Sequence, residues 1–486
     1  MKSALPCVLT LNGGSSSIRF AIFEAAKNPR QVLAGKVERI GLRGTVLTVE
    51  ESDGNPPQSL RLAAADHRTA VEFLLDWLQK QPVFGRVQAV GHRVVQGMKH
   101  SAPERVTRKL IAELHRLTPY DPEHLPRELA LIEAIQRRHS KLPQVACFDT
   151  AFHRTMPRGA KLLPIPRRYQ KLGVERYGFH GLSYAFLMAE LRRLDPAAAR
   201  GRVILAHLGN GASLAAVHRG RSIDTSMGFT PASGLVMSTR SGDLDPGLLS
   251  FLARREKMTP AQFGQMVNHE SGLLGISETS SDVRDLLGRE KRDPRAADAL
   301  ALFCYQAKKW IGSYAAALGG VDTLVFAGGI GENAPRIRER ICDGLGFLGL
   351  SISGRANIAN AAWLEVRAGV RVHRGVFRAA PGALGLGEER GGLAGLGLFE
   401  LPIEAAEVQR GDHFGADAPG GLVRRDRPLS LAAYLEALAL LALGLALAQL
   451  VALQDFLAPG QDFLVQAGEL AAGGRLLRLA AGAEHH

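Results

Sequence analysis

Val8-Leu9-Thr10-Leu11-Asn12-Gly13-Gly14-Ser15-Ser16-Ser17-Ile18-Arg19-Phe20-Ala21-Ile22-Phe23 is the stretch on which the architecture turns. Two apolar runs, Val8 to Leu11 and Ile18 to Phe23, flank a turn of small polar residues, which is the pattern of a β-hairpin. The same plan returns later. Val203 to His207 reads as a strand, Leu208-Gly209-Asn210-Gly211 as a turn, and Ala212 to Val217 as a returning strand. After each hairpin, strand and helix alternate. Ala64 to Gln79 has helical periodicity, with Val71, Leu74, Leu75 and Leu78 on one face. Val87 to Val90 is a buried strand running into Gly91-His92-Arg93. Arg108 to Leu117 and Arg127 to Arg138 are amphipathic helices, and Gln144 to Phe148 is a strand ending at Asp149. In the second half, Ala296 to Ala317 is a long helix. Thr323 to Ala327 is a strand closed by a glycine turn, Gly328-Gly329-Ile330-Gly331-Glu332-Asn333. This predicts two related α/β domains with a cleft between them.

Composition narrows the function. The 486 residues are 46% hydrophobic and 22% charged, an ordinary globular balance that excludes a disordered chain, a collagen or a small disulfide scaffold. Lys and Arg number 60 against 47 Asp and Glu, a net charge of +13. A basic chain can serve nucleic acid or small anions. With 6% aromatic residues and no basic arm, the anionic small molecule is the better reading, and no nucleic-acid partner is expected. Cys7, Cys147, Cys304 and Cys342 form no CxxC pair and read as buried reduced thiols. The N-terminal run has too short an apolar core for a signal peptide, so a cytoplasmic enzyme is expected.

Each candidate motif has a functional and an ordinary reading. Asn12 to Arg19 offers backbone N–H groups and hydroxyls to a phosphate, or is a plain Ser/Gly turn. Arg93 can hold a carboxylate or phosphate, or be a surface arginine. Asp149 sits where ligand sites gather in α/β sheets, or caps a strand end. His180 can donate to developing charge, or be structural. His207 to Gly211 and Gly328 to Asn333 are glycine turns after strands, and neither fits the P-loop pattern. Arg240 lies in a further loop. Asp282-Val283-Arg284 can hold a base or ribose, or cap a helix.

Taken in order, the blocks NGGSSS, GHRVV, CFDTAFH, YGFHG, HLGNGAS, SMGFTP, TRSGDLDPG, SSDVRDL and FAGGIGEN resemble the acetate kinase (acetate and propionate kinase) family over about residues 7–374. The resemblance implies an α/β fold of two ribonuclease-H-like domains of the actin–hexokinase–Hsp70 type around a central cleft, with an atypical C-terminal tail. The expected domains are residues 1–151, residues 152–374 with the nucleotide side, and the tail 375–486. It implies reversible phosphoryl transfer from ATP to acetate, giving acetyl phosphate and ADP with Mg²⁺, in a likeness to enzymes that are commonly homodimers. A propionate preference, or an impaired nucleotide-binding homologue, is the alternative. By motif, Arg93 and Arg240 hold the carboxylate and the transferring phosphoryl group, Asp149 stands near the attacking oxygen, and His180 stabilises the transferring group. Asn12, with Ser15, Ser17 and Arg19, faces phosphates and metal. The nucleotide side takes Arg19, His207, Gly209, Asn210, Gly211, Asp282, Val283, Arg284, Gly329, Ile330, Gly331 and Asn333. Val95, Tyr120, Phe179 and Pro231 match the acyl pocket.

The chemistry agrees with that assignment. Phosphoryl transfer asks for positioning and charge neutralisation more than for covalent help. A carboxylate nucleophile is already ionised at pH 7, so Asp149 reads as a metal or geometry group rather than a base. Four departures stand out. Lys99 follows Gly97-Met98 where the family carries a glycine and then an acid or neutral residue. The loop Leu117-Thr118-Pro119-Tyr120-Asp121-Pro122-Glu123-His124 lacks the family histidine, with Asp121 near its place and His124 three residues on. Losing one phosphoryl-facing donor uncompensated costs about 1–3 kcal/mol. Ser238 replaces a glycine, a minor change. After Val370 to Arg374 the chain reads Gly375-Val376-Phe377-Arg378-Ala379-Ala380-Pro381, without the acidic Thr-Asp-Glu-Glu segment that helps the family bind Mg²⁺.

The tail also changes character. No Lys follows Lys309, and residues 375–486 hold 8 Arg against 13 acids. A shifted reading frame or an appended domain would each produce this coincidence. Leu429 to Leu453 is almost wholly apolar, but Glu436 favours an interfacial or soluble helix over a membrane span, so membrane contact is not expected.

Overall fold

The computed structural model describes residues 5–374, apart from 15–16, 27–28, 42–43, 52–56, 63, 65, 362 and 368–369. The tail from 375 onward, with the apolar stretch Leu429 to Leu453, lies outside the described residues, as does Ser15.

Among the described residues fourteen strands form two sheets. The first sheet holds β1 (Cys7–Gly13), β2 (Ser17–Glu24), β3 (Arg30–Glu38), β4 (Val46–Glu51), β5 (Gln58–Arg61), β6 (Val87–Val94), β7 (Glu104–Arg105) and β8 (Gln144–Phe148). Its order is β5-β4-β3-β2-β1-β6-β8-β7. The second holds β9 (Arg202–Leu208), β10 (Ala212–His218), β11 (Arg221–Thr225), β12 (Thr323–Ala327), β13 (Trp363–Arg367) and β14 (Val370–Arg374), in the order β11-β10-β9-β12-β14-β13.

The two sheets repeat one plan. In the first, β3, β2 and β1 form an antiparallel meander, and β6 and β8 then join parallel to β1. In the second, β9, β10 and β11 form the meander, and β12 and β14 join parallel to β9. The hairpins read from the sequence are the opening pairs β1–β2 and β9–β10. Burial explains the central positions. All seven residues of β1 are buried, as are all five of β8 and of β12, the continuous apolar signature of strands covered on both faces.

Helices cover the sheets. His67–Gln79 starts at Asp66, whose Oδ1 accepts from the Thr69 N–H at 2.8 Å. It buries Ala70, Val71, Leu74, Leu75 and Leu78 against the first sheet; each buried leucine contributes about 2 kcal/mol. Leu125–Arg138 covers β1 and β6 and buries Leu129, Ile132 and Ile135. In the second half, Pro294–Leu318 runs 25 residues from an Asp293 cap to Gly319 at φ +70°. Its buried face, including Leu300, Phe303, Ala307, Ile311 and Tyr314, recurs at helical spacing. One expectation needs correcting: Gly328–Asn333 is a short helix, not a glycine turn. Its Asn333 side chain donates back to the Gly329 carbonyl at 3.0 Å. All four cysteines are buried free thiols. Among the described residues no helix is long and apolar enough to cross a membrane.

Candidate active site

Three adjacent parallel strands deliver the first cluster. β1 pairs with β6 and β6 with β8, with Leu11 opposite His92 and Val94 opposite Phe148. Asn12, Arg93 and Asp149 therefore arrive together at the carboxyl ends of the strands, the usual ligand side of such sheets. Arg93 donates to Asp149 Oδ2 through Nε at 3.1 Å and through a terminal nitrogen at 2.6 Å. Its other terminal nitrogen donates to Asn12 Oδ1 at 3.1 Å. Asp149 is 1% exposed, and its Oδ1 is buried without a hydrogen-bond partner. One carboxylate oxygen thus orients the guanidinium while the other remains unspent.

A second cluster comes from the other sheet and the loops around it. His180 ends the Tyr177-Gly178-Phe179 approach and begins the helix Gly181–Leu194 with a left-handed backbone, φ +60°. Gly181 must be glycine, because a Cβ there would fall 1.7 Å from the Asp149 carbonyl oxygen. The ring of His180 lies 4.3 Å from that of His207, at the end of β9. Its Nδ1 is 2.8 Å from Ser213 Oγ on β10. Burial, reinforced by His207, Arg93 and Arg240, holds His180 neutral, with its proton affinity well below the ordinary histidine value. A Cβ on Gly211 would lie 3.3 Å from His180 Nε2 and 3.6 Å from a terminal nitrogen of Arg240. The glycine turn therefore rests directly on both side chains. Burial also pulls the affinity of Arg240 below its ordinary value.

Two residues of this cleft escaped the sequence reading. His124, at the start of helix Leu125–Arg138, donates from Nδ1 to Asp121 Oδ1 at 2.8 Å. Its Nε2 accepts from Arg240 at 3.4 Å. The substituted loop therefore presents a histidine to Arg240 although its spacing is shifted. The signal was the Asp121-x-x-His124 interval, three residues apart, which places both side chains on one turn. Glu128, one helical turn further on, takes the Val95 N–H on both oxygens at 3.1 and 3.2 Å. Burial first, and Asp121 second, raise its carboxyl well above the ordinary range. A glutamate inside an amphipathic helix reads as solvated, and nothing in the pattern distinguishes this one.

The expected acyl-pocket residues are placed as follows. Val95 and Phe179 are buried in the main core cluster with Tyr177. Tyr120 is half-buried; its hydroxyl donates to the Leu172 carbonyl at 2.6 Å, and its ring meets Phe229 edge-on at 6.0 Å. The Pro231 carbonyl accepts from Arg240 at 3.4 Å.

The expected nucleotide residues are less uniform. His207 Nδ1 is 2.9 Å from Ser183 Oγ. The Gly209 N–H donates to Gly211 at 3.1 Å, and a Cβ on Gly209 would lie 3.9 Å from the Gly329 nitrogen, so the two glycine segments are neighbours. The Asn210 carbonyl accepts from Ser238 at 3.1 Å. Gly331 is buried, whereas Gly329 and Asn333 are exposed and Ile330 packs on the core. Asp282 caps the helix Val283–Arg289 and pairs with Arg284 at 2.6 Å, while Val283 is buried. The helix-cap alternative for Asp282 is therefore realised here. Ser17 and Arg19 lie on β2, with Arg19 exposed opposite Asn12.

For a metal, no three His, Cys, Asp or Glu side chains converge among the described residues. Mg²⁺ needs only one or two protein oxygens when substrate phosphates supply the rest. The unspent Asp149 Oδ1, next to Asn12, fits that requirement.

Comparisons with known proteins show the family. The family model described as the Acetokinase family matches residues 7–366. A propionate kinase from Citrobacter rodentium is 43% identical over 367 residues, 74% of this chain and 90% of the relative. An acetate kinase from Rhodopseudomonas palustris is 43% identical over 356 residues, 72% and 89% of the two chains. The crystal structure of Porphyromonas gingivalis acetate kinase superposes with a TM-score of 0.68 at 37% identity, covering 76% of this chain and 95% of that one. That of a propionate kinase from Francisella tularensis gives 0.72 at 32% identity, covering 76% and 96%.

Proposed function

The chain belongs to the acetokinase family, and from that premise we propose that it moves the terminal phosphoryl group of ATP onto a carboxylate oxygen of a short-chain acid, acetate first and propionate second. A carboxylate oxygen attacks the γ-phosphorus, the bond to the ADP oxygen breaks, and ADP leaves with that electron pair. The acyl phosphate is the product, and the step runs in both directions. No proton need be removed from the nucleophile at pH 7.

The observation that carries the reading is the meeting of Arg93, held by Asp149 and Asn12, with Arg240 and neutral His180 around one cleft. Arg93 and Arg240 would balance charge on the carboxylate and on the equatorial oxygens. Both are held in place beforehand, Arg93 by Asp149 and Arg240 by His124 and the Pro231 carbonyl. Val95, Tyr120, Phe179 and Pro231 would bound the acyl chain. Asn12 and Asp149 Oδ1 would hold Mg²⁺, which when bound neutralises phosphate charge. The two glycine segments, with Asp282, Val283 and Arg284, would take the nucleotide, Arg19 and Ser17 lying on the phosphate side. The family likeness also supports a cytoplasmic homodimer and a division at about residues 151 and 374.

Hydroxamate trapping of acyl phosphate from ATP, Mg²⁺ and acetate or propionate tests the proposal. Turnover that Arg93→Ala abolishes is expected. ATP binding without turnover in the unaltered chain would favour the impaired homologue, a reading supported by the lack of a Thr-Asp-Glu-Glu segment directly after Arg374.

A further inference from the structure

We propose that Asp121, Glu123 and His269 are positioning residues that hold Arg240 inside a ring of contacts, with one arm from each half of the molecule. The inference rests on the carboxylate-kinase reading, in which Arg240 faces the reacting groups. It concerns three residues outside the roles considered so far.

One arm holds the backbone of Arg240. It is the π-helical turn Met266–Glu270, a geometry that recurs at functional sites. The loop that carries Arg240 is bonded to this turn on both sides. The Thr239 hydroxyl donates to the Asn268 carbonyl at 2.9 Å, and the Ser241 N–H donates to the Val267 carbonyl at 2.9 Å. The Ser271 N–H returns a bond to the Thr239 carbonyl at 3.0 Å. Gly272, at φ +64°, lies so close to the loop that a Cβ there would fall 2.7 Å from the Arg240 carbonyl oxygen.

The other arm, Asp121 to His124, holds the guanidinium, and there the chemistry allows one arrangement. Arginine can only donate. His124 Nε2, 3.4 Å from a terminal nitrogen of Arg240, must therefore accept. A neutral imidazole that accepts at Nε2 carries its hydrogen at Nδ1. Nδ1 lies 2.8 Å from Asp121 Oδ1, which also takes the His124 backbone N–H at 3.3 Å. Asp121 is 3% exposed, so water competes little for that oxygen. Asp121 thus grips His124 by ring and backbone together and aims its lone pair at Arg240. Glu123 and His269 join the two arms: Glu123 Oε2 is 3.3 Å from His269 Nε2, and each side chain is 39% exposed. Such a pair adds little to fold stability, so its part is to close the ring. Burial lowers the proton affinity of Arg240, and Asp121 and Glu123 act in the opposite sense. The same two acids therefore place counter-charge beside a guanidinium that must stay charged.

The test combines kinetics of the full chain with a readout that needs no turnover. Asp121→Ala is expected to lower kcat about tenfold, with KM for ATP within about twofold. Asp121→Asn keeps an oxygen that accepts from Nδ1 and should restore kcat to within about threefold of the unaltered protein. Because Asp121 acts through His124, Asp121→Ala combined with His124→Ala should be no slower than His124→Ala alone. Glu123→Gln and His269→Gln should each lower kcat about two- to threefold, and the pair together no further. Imidazole nitrogen resonances, with the His124 signals identified by their loss in His124→Gln, should show hydrogen on Nδ1 and a bare Nε2. Hydrogen on Nε2 of His124, an unchanged kcat in Asp121→Ala, additive losses in either double variant, or a KM for ATP that rises as far as kcat falls overturns the proposal. A protein without turnover whose His124 carries its hydrogen on Nδ1 would refute the kinase reading and leave the ring standing.

Discussion

β8 and β14 occupy equivalent places, each the second parallel strand added to its meander, yet they hand the chain to different chemistry. β8 passes directly to Asp149, one oxygen of which orients Arg93 while the other is buried without a hydrogen-bond partner. β14 passes, in the sequence, to Gly375-Val376-Phe377. The other strand ends differ in the same way. β6 delivers a guanidinium, whereas β9 and β12 deliver glycine segments with exposed backbone. The strand ends of the first half present a guanidinium and a carboxylate, whereas those of the second present glycine segments, with Arg240 coming from a loop.

Removing the charge should break this contrast most severely. Arg93→Ala deletes the group around which Asn12 and Asp149 are arranged, and kcat should fall about 10³-fold, measured by hydroxamate trapping. Next comes Gly211→Ala, on the backbone side. Its new methyl would press on His180 and touch Arg240, and displacement of His180 should lower kcat by about 10- to 100-fold while ATP still binds. A full-rate Gly211→Ala enzyme would mean that the glycine segment does not set the positions of those groups.

Glu128 sharpens the comparison through stability. Its folded-state proton affinity is raised, so above the ordinary carboxyl value the folded protein holds a proton that the unfolded chain has lost. Its contribution is fully present below that value and declines as pH rises toward the folded one. Glu128→Gln mimics the protonated form and should abolish this decline, which is at most about 1.4 kcal/mol per pH unit. Urea unfolding of both proteins between pH 5 and 8 measures it. Buried His92 and His153 work in the opposite sense. Their affinities are lowered to about 4, so stability falls as pH drops from the unfolded value of 6.5 toward 4. The smallest effect belongs to Arg284, which is 89% exposed and paired with its own helix cap. Arg284→Ala should raise KM for ATP about twofold and leave kcat unchanged.

Strand hairpins, glycine segments and the arginine at a strand end were readable because they are local: a period of two, a glycine, a charge after a strand. The strand Gln144–Phe148 and the helix Arg108–Leu117 follow their sequence periodicity to the residue. What escaped was set by long-range packing. His124 reaches Arg240 across 116 residues of chain. Glu128 has its proton affinity raised because β6 and the loop after it help bury it, a fact absent from its own helix. Gly328–Asn333 is glycine-rich yet helical because Gly328, at φ +76°, lies against the Leu208 backbone with no room for a side chain, and Glu332 accepts its N–H at 3.1 Å.

The buried thiols have a use independent of catalysis. Cys7 and Cys147 sit in the first sheet, and Cys304 and Cys342 in the core of the second half. Burial pushes the thiol of each upward, which suppresses the reactive thiolate. An alkylating reagent therefore reaches them when the surrounding structure opens. Each half of the molecule carries its own pair of chemical clocks, and their relative rates report which half breathes first.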